Sequence, residues 1–361
     1  MRYILLICLC FVFLNCKNEK TLEPRTISKV EIENIEEDST YSVRAIDFNE
    51  DYIYYGSADH FGKLALNKEL KINLTDLEIN NGKNHFRYVH TYNNEPLHFR
   101  AVKEINETMF AISIANPARL FKLTRKAEGA KLVYEEINDN VFYDAMEFWN
   151  DKEGIVIGDP TDDCLSIIIT RDGGNTWTKI PCDNLPKIKD GEAAFAASDS
   201  NIAIVGDKTW VATGGKNSRV LYSPDKGKRW EAFEVPIVQG LETTGIYSID
   251  FYDELNGYAI GGDYTNPEAN TANKIKTTDG GKTWTVVADG QNPGYRSCVQ
   301  YIPNRNGKEL VAVGFKGIDY SNDYGETWTH LSDEGFYTIR FINDTEAYAA
   351  GRGRISKLMF Q

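Results

Sequence analysis

The sequence predicts an all-β fold, a seven-bladed β-propeller of four-stranded blades, and three observations predict it. A phrase of the form Ser/Thr-x-Asp-x-Gly-x-x-Trp begins at Thr170, Ser223, Thr277 and Ser321, and its tryptophans (Trp177, Trp230, Trp284, Trp328) fall 53, 54 and 44 residues apart. A period near 50 is that of one propeller blade. Seven short apolar segments also recur, each the expected first strand of a blade. Finally, 12% aromatic residues and 29 Gly against 11 Pro suit many short strands joined by tight turns.

The N-terminus lies outside this pattern. Arg2 precedes an apolar run over residues 4–14, roughly 16 Å long as a helix, where a membrane span needs about 20 residues. This predicts a signal peptide over residues 1–15. Its end, Phe13-Leu14-Asn15-Cys16, resembles the bacterial lipoprotein lipobox. The resemblance implies acylation of Cys16, anchoring in the membrane through lipid, and a place in the bacterial cell envelope. Lys17 resembles an outer-membrane sorting signal. Residues 16–26 are then the lipidated cysteine and a flexible tether, and residues 27–361 the propeller.

The expected first strands are VRAIDF (43–48), FRAVKEI (99–105), YDAMEF (143–148), AAFAAS (193–198), YSIDFY (247–252), RSCVQY (296–301) and YTIRFI (337–342). Second strands include IYYG, IVIG, IAIVG, YAIGG, VAVG and YAAG. After the last repeat only three strands fit before Gln361. The segment 27–35, where Val30, Ile32 and Ile35 punctuate charged residues, is expected to supply the missing outer strand of the last blade and so remove a free sheet edge.

The four-fold phrase resembles the Asp box, or BNR repeat. In that reading Asp172, Asp225, Asp279 and Asp323 accept bonds from turn N–H groups, Gly supplies positive φ, and the Trp packs between sheets. These residues are expected to be structural rather than catalytic. Residues 121–134 look like a decayed copy. Cys164 and Cys182 face each other across the first hairpin within one residue of register, which predicts a disulfide in an oxidising compartment; Cys298 is expected to be a buried apolar residue.

Propeller geometry places candidate ligand groups at the mouth opposite the Asp turns. The position before the small residue of each first strand holds Arg44, Arg100, Asp144, Ala193, Tyr247, Arg296 and Tyr337, and Glu192 precedes Ala193. Loops bring Asp159, Asp263 and Tyr264 to the same end. In a chain of net charge −13, three arginines at one mouth would focus positive potential and bind carboxylate, phosphate or sulfate. The alternative is that Arg44, Arg100 and Arg296 pair with Asp144, Glu192 or a neighbouring blade and close the channel. Three Arg, a Tyr and acids also resemble the sialidase site in composition; carried over, that resemblance makes Asp144, Glu192 and Tyr247 the catalytic candidates.

Other chemistries find no motif. The 40 Lys plus Arg against 53 Asp plus Glu argue against binding nucleic acid. The five histidines, His60, His85, His90, His98 and His330, show no metal spacing, and no phosphate-binding glycine loop or nucleophile elbow occurs, so no metal or cofactor is expected. Asp159, Asp162 and Asp163 are read as solvated loop acids rather than a Ca²⁺ site. The whole mature chain resembles the photosystem II assembly and stability factors and, more distantly, sialidases, xyloglucanases and the sortilin propeller. The first group implies a non-enzymatic module that binds membrane-protein intermediates, and the arginine mouth leads to the expectation of a monomeric binding or assembly module for a protein segment or an anionic small molecule or glycan. The alternative is a glycoside hydrolase with paired carboxylates at the same mouth.

Overall fold

The computed structural model describes residues 25–67, 78–79, 85–124 and 129–361. The signal segment, Cys16 and most of the tether lie outside the described residues. The strands form an all-β propeller of seven blades.

Blade 1 is built from Ala45–Phe48, Tyr52–Gly56, Phe61–Ala65 and His85–Tyr88, with Glu78–Ile79 pairing outside it. Blade 2 runs from Phe99–Ile105 to Lys131–Glu136, blade 3 from Tyr143–Phe148 to Thr178–Lys179, blade 5 from Ile246–Phe251 to Thr285–Val286, and blade 6 from Cys298–Tyr301 to Thr329–Ser332. In blade 2 the pair Phe121↔Leu132 joins Ala118–Thr124 and Lys131–Glu136 as antiparallel third and fourth strands.

The closure of the ring follows from the alternation at the N-terminus. Thr338–Phe341 opens blade 7, and Glu346–Phe360 turns back on itself at Gly353, where φ is +79°. The Phe360 N–H then donates to the Thr345 carbonyl at 2.8 Å. The outer strand is Val30–Ser42, antiparallel from Val30↔Phe360 to Glu37↔Arg354. Chain start and chain end therefore complete one sheet.

Blade 4 departs from the sequence reading. Its first strand is Ile202–Val205, not residues 193–198, and its second is Lys208–Ala212. Gly206 has φ +61° and opens a two-residue hairpin loop after Val205. The segment IAIVG thus ends a first strand rather than a second. The displaced residues leave only Glu192–Ala193 in a short ladder with Gly214–Gly215.

The four Asp turns share one hydrogen-bond pattern between third and fourth strands. Asp172 Oδ1 accepts from the N–H groups of Asn175 and Thr176, both at 2.9 Å, and Thr170 Oγ1 accepts from Gly174 N–H. Asp225, Asp279 and Asp323 accept from Arg229, Thr283 and Thr327 N–H in the same way. Trp177 packs edge-on against Phe148 of its own blade and Phe110 of blade 2, and Trp328 against Tyr258 of blade 5. Cys164 and Cys182 form a disulfide with Cα atoms 5.4 Å apart, and Cys298 is buried.

Polar side chains from the inner strands tie blades together round the axis. Asp199 accepts from Val102 N–H and Met146 N–H, Asp250 from Tyr301 N–H, and Gln300 from Phe341 N–H. Lys103 sits between Glu147 at 3.0 Å and Asp47 at 3.5 Å. Glu147, Asp199, Asp250 and Gln300 border an inner cavity of about 370 Å³. Their bonds join one blade to the next, so the polar channel is explained by closure of the ring.

Candidate functional site

At the mouth, residues just before or within the inner strands enclose a cavity of about 530 Å³. Arg44 and Arg100 line one side, Asp144 and Asp159 the next, and an aromatic wall the rest. That volume is typical of small-molecule pockets.

The two arginines keep their charge available. The Arg44 guanidinium lies over the Tyr337 ring, and its buried Nε has no hydrogen-bond partner. Arg100 makes two long bonds, to His98 Nε2 and the Ala196 carbonyl, both at 3.4 Å. Among the described residues neither lies within ion-pair distance of a carboxylate. Burial, and then the charge of Arg44, pull the Arg100 guanidinium down to about 10, so it stays cationic at neutral pH.

The carboxyl side is unlike a salt bridge. Asp144 lines the cavity, is 0% exposed, and has no hydrogen-bond partner on either carboxyl oxygen. Burial first, and then the charge of Asp159, hold it well above the usual carboxylate range. Asp159 accepts from Ala194 N–H at 2.8 Å; burial raises it to about 6 against that bond. A carboxyl in this state can donate as well as accept.

The aromatic wall is centred on Tyr247. Its ring stacks on Phe195 with centroids 4.1 Å apart and meets Tyr295 edge-on at 4.8 Å. Its hydroxyl donates to the Thr243 carbonyl. Tyr264 and Phe315 stand at the rim, 48% and 41% exposed. Residues 193–197 supply part of the wall here, and Phe195, Tyr295 and Phe315 are lining residues absent from the sequence reading. The signal for Phe195 was the lack of a polar partner pattern in Ala-Ala-Phe-Ala-Ala, which suits a packed loop better than an inner strand.

Three sequence candidates are placed elsewhere. Arg296 is buried between strands, with Nε 2.6 Å from Asp319 Oδ2 and Nη1 donating to the Tyr295 carbonyl. It closes the blade rather than lining the cavity, as the ion-pair alternative expected, but with a different acid. Glu192 accepts a bidentate bond from Arg219, together with bonds from Thr213 Oγ1 and Lys189 N–H. All its acceptor capacity is used, and it does not pair with Tyr247. The carried-over Tyr–Glu nucleophile is therefore not assembled. Asp263 is spent on a turn, accepting from Thr265 N–H and Oγ1. By contrast Arg44, Arg100, Asp144, Asp159, Tyr247, Tyr264 and Tyr337 all line one cavity. The Asp-turn residues Asp172, Asp225, Asp279 and Asp323, with their tryptophans, do not. Among the described residues no group of three or more His, Cys, Asp or Glu could hold a metal ion.

No family model and no curated protein matches the chain. Solved structures do match its fold. A structure described as YCF48 bound to D1 peptide superposes with a TM-score of 0.63 at 12% identity, covering 93% of this chain and 98% of that one. A streptogramin B lyase structure gives 0.62 at 14% identity, covering 92% and 97%. The WD40 repeats of RRP9 give 0.59 at 9% identity, covering 92% and 98%. At these identities the likeness shows the β-propeller fold alone. One fold here carries a bound peptide and a lyase alike, so function must be argued from the site.

Proposed function

We propose that this chain is an exported, lipid-anchored binding module of the bacterial cell envelope, which captures an anionic group of a protein segment or small molecule at the mouth of the propeller. One observation carries the reading: Arg44 and Arg100 face a cavity without a carboxylate partner of their own. Desolvated guanidinium groups without an internal counter-ion are costly to hold, and an anionic ligand supplies what is missing. The aromatic wall adds apolar contact area beside them. A propeller of the same fold described as bound to a peptide supports a protein partner. The signal peptide, Cys16 acylation and Asp-box membership rest on the sequence motifs.

A thermal-shift panel of acidic peptides, uronates, sialic acids and phosphosugars tests the proposal. A ligand at about 100 times its Kd adds about 2.7 kcal/mol. The stabilising compounds are expected to be anions, and their effect to disappear in Arg44→Ala and Arg100→Ala. Stabilisation that survives both substitutions overturns the reading.

Asp144 and Asp159 give a second reading, glycoside hydrolysis, because two carboxyls raised by burial line the same cavity. It requires turnover of a glycan that Asp144→Asn abolishes.

A further inference from the structure

An anion accounts for the two arginines but not for Asp144. The polar groups of the cavity are segregated by blade. Arg44 and Arg100 come from blades 1 and 2, Asp144 and Asp159 from blade 3, Phe195, Tyr247 and Tyr295 from the far side of the ring with Glu242 at the rim, and Tyr337 from blade 7 beside Arg44. Arg100 and Asp144 feel each other's charge, yet are not within the 4 Å of an ion pair. Something can stand between them. Both carboxyl oxygens of Asp144, a residue that lines this cavity, are buried without a hydrogen bond of good geometry, and only the backbone N–H groups of Ala196 and Asp159 lie near enough to act on them. An anion bound to the arginines would leave them as they are, unless it brings a donor of its own.

We propose that the cavity takes a zwitterion, a free α-amino acid with an apolar or aromatic side chain, with its carboxylate on Arg44 and Arg100, its ammonium on Asp144 and its side chain on the aromatic arc. An α-amino acid carries its two charges one carbon apart, matching a cationic and an acidic group on neighbouring blades. It inserts an ion pair into each half of the gap, and its ammonium stabilises the ionised form of Asp144. Its third group points where the wall is aromatic. This deepens the anion-binding reading above and rests on it.

Isothermal titration of the purified chain with a matched probe series separates the two. L-Phenylalanine carries all three groups, 3-phenylpropionate lacks the ammonium, 2-phenylethylamine lacks the carboxylate, and N-acetyl-L-phenylalanine keeps a neutral N–H only. Phenylalanine is expected to bind at least about tenfold more tightly than each of the others. Asp144→Asn is expected to bring the ratio of phenylalanine to 3-phenylpropionate affinity towards one. If 3-phenylpropionate binds as tightly as phenylalanine, the zwitterion proposal falls and the anion site stands. Equal binding of N-acetyl-L-phenylalanine overturns it too, because a chain terminus then suffices. If no probe binds but anions of the thermal-shift panel do, the proposal falls alone; if neither set binds, both readings fall. The wild-type series needs no substitution, so a failure of Asp144→Asn to fold leaves the outcome decided.

Discussion

The Arg44 guanidinium lies over the ring of Tyr337, 4.2 Å from its centroid. This contact joins the first blade to the last at the mouth and holds the cation by its face. The Arg44 Nε is buried without a hydrogen-bond partner, and no carboxylate of the described residues neutralises the group. The electron-rich ring thus positions Arg44 without neutralising it, which an acid at the same place would do. Tyr337→Leu is expected to weaken binding of benzenesulfonate roughly two- to fivefold, the value of a partly exposed cation–π contact, as read by titration calorimetry. Unchanged affinity would show that Arg44 is oriented by something else.

Arg296 occupies the same position in its repeat as Arg44, but its fate is opposite. Asp319 lies 2.6 Å away and both side chains are buried, at 6% and 2% exposed. Removing one member of such a pair leaves the other charged and desolvated, at a cost of about 3–5 kcal/mol. His330 Nδ1, 3.0 Å from the other Asp319 oxygen, offsets part of that. Urea unfolding of Arg296→Ala is expected to show a loss at or below the lower end of this range. Arg44→Ala and Arg100→Ala are expected to stay within about 1 kcal/mol of the parent. If all three behave alike, the division between a structural and a ligand-binding arginine is wrong.

That contrast also shows what could be read from the sequence. The Asp turns are local devices. Asp172, Gly174 and Trp177 fall within one short stretch of chain, so their spacing carries the whole hydrogen-bond pattern, and the closing strand reveals itself by the alternation of Val30, Ile32 and Ile35. Blade 4 was misread because Gly206 follows an apolar strand in both readings. Whether that glycine ends a second strand or opens a hairpin depends on which ladder forms, and Trp210 and Val211 decide it by pairing back onto Ala203 and Ile202. Mouth residues were legible as positions and not as states. Nothing near Arg296 in the chain announces Asp319, a residue on another strand of the same blade, and nothing near Glu192 announces Arg219. The vacancy of hydrogen bonds around Asp144 likewise arises only when seven inner strands converge.

Asp159 gives the anion site a pH dependence whose sign can be worked out. The charged groups facing the cavity are Arg44, Arg100, Asp144, Asp159 and, at the rim, Glu242; Tyr247, Tyr295 and Tyr337 also face it, and burial holds the Tyr247 and Tyr295 hydroxyls well above their usual range. Burial raises Asp159 to about 6 and holds Asp144 well above the usual carboxylate range, while Arg100 stays charged up to about 10. Below about pH 6, therefore, the arginines act with their nearest carboxyls neutral. As pH rises through that value Asp159 ionises and adds a negative charge to the same cavity. Affinity for benzenesulfonate, which stays ionised throughout, is expected to fall by roughly three- to tenfold between about pH 5 and pH 8, a Coulomb penalty of about 1 kcal/mol at the effective dielectric of a partly open site. Asp159→Asn removes the titrating group, so the variant is expected to hold the acid-side affinity across the range. A flat profile in the parent chain would mean that Asp159 is too far from the bound anion to be felt. A slope of the opposite sign would mean that a group which gains affinity on losing its proton controls the site.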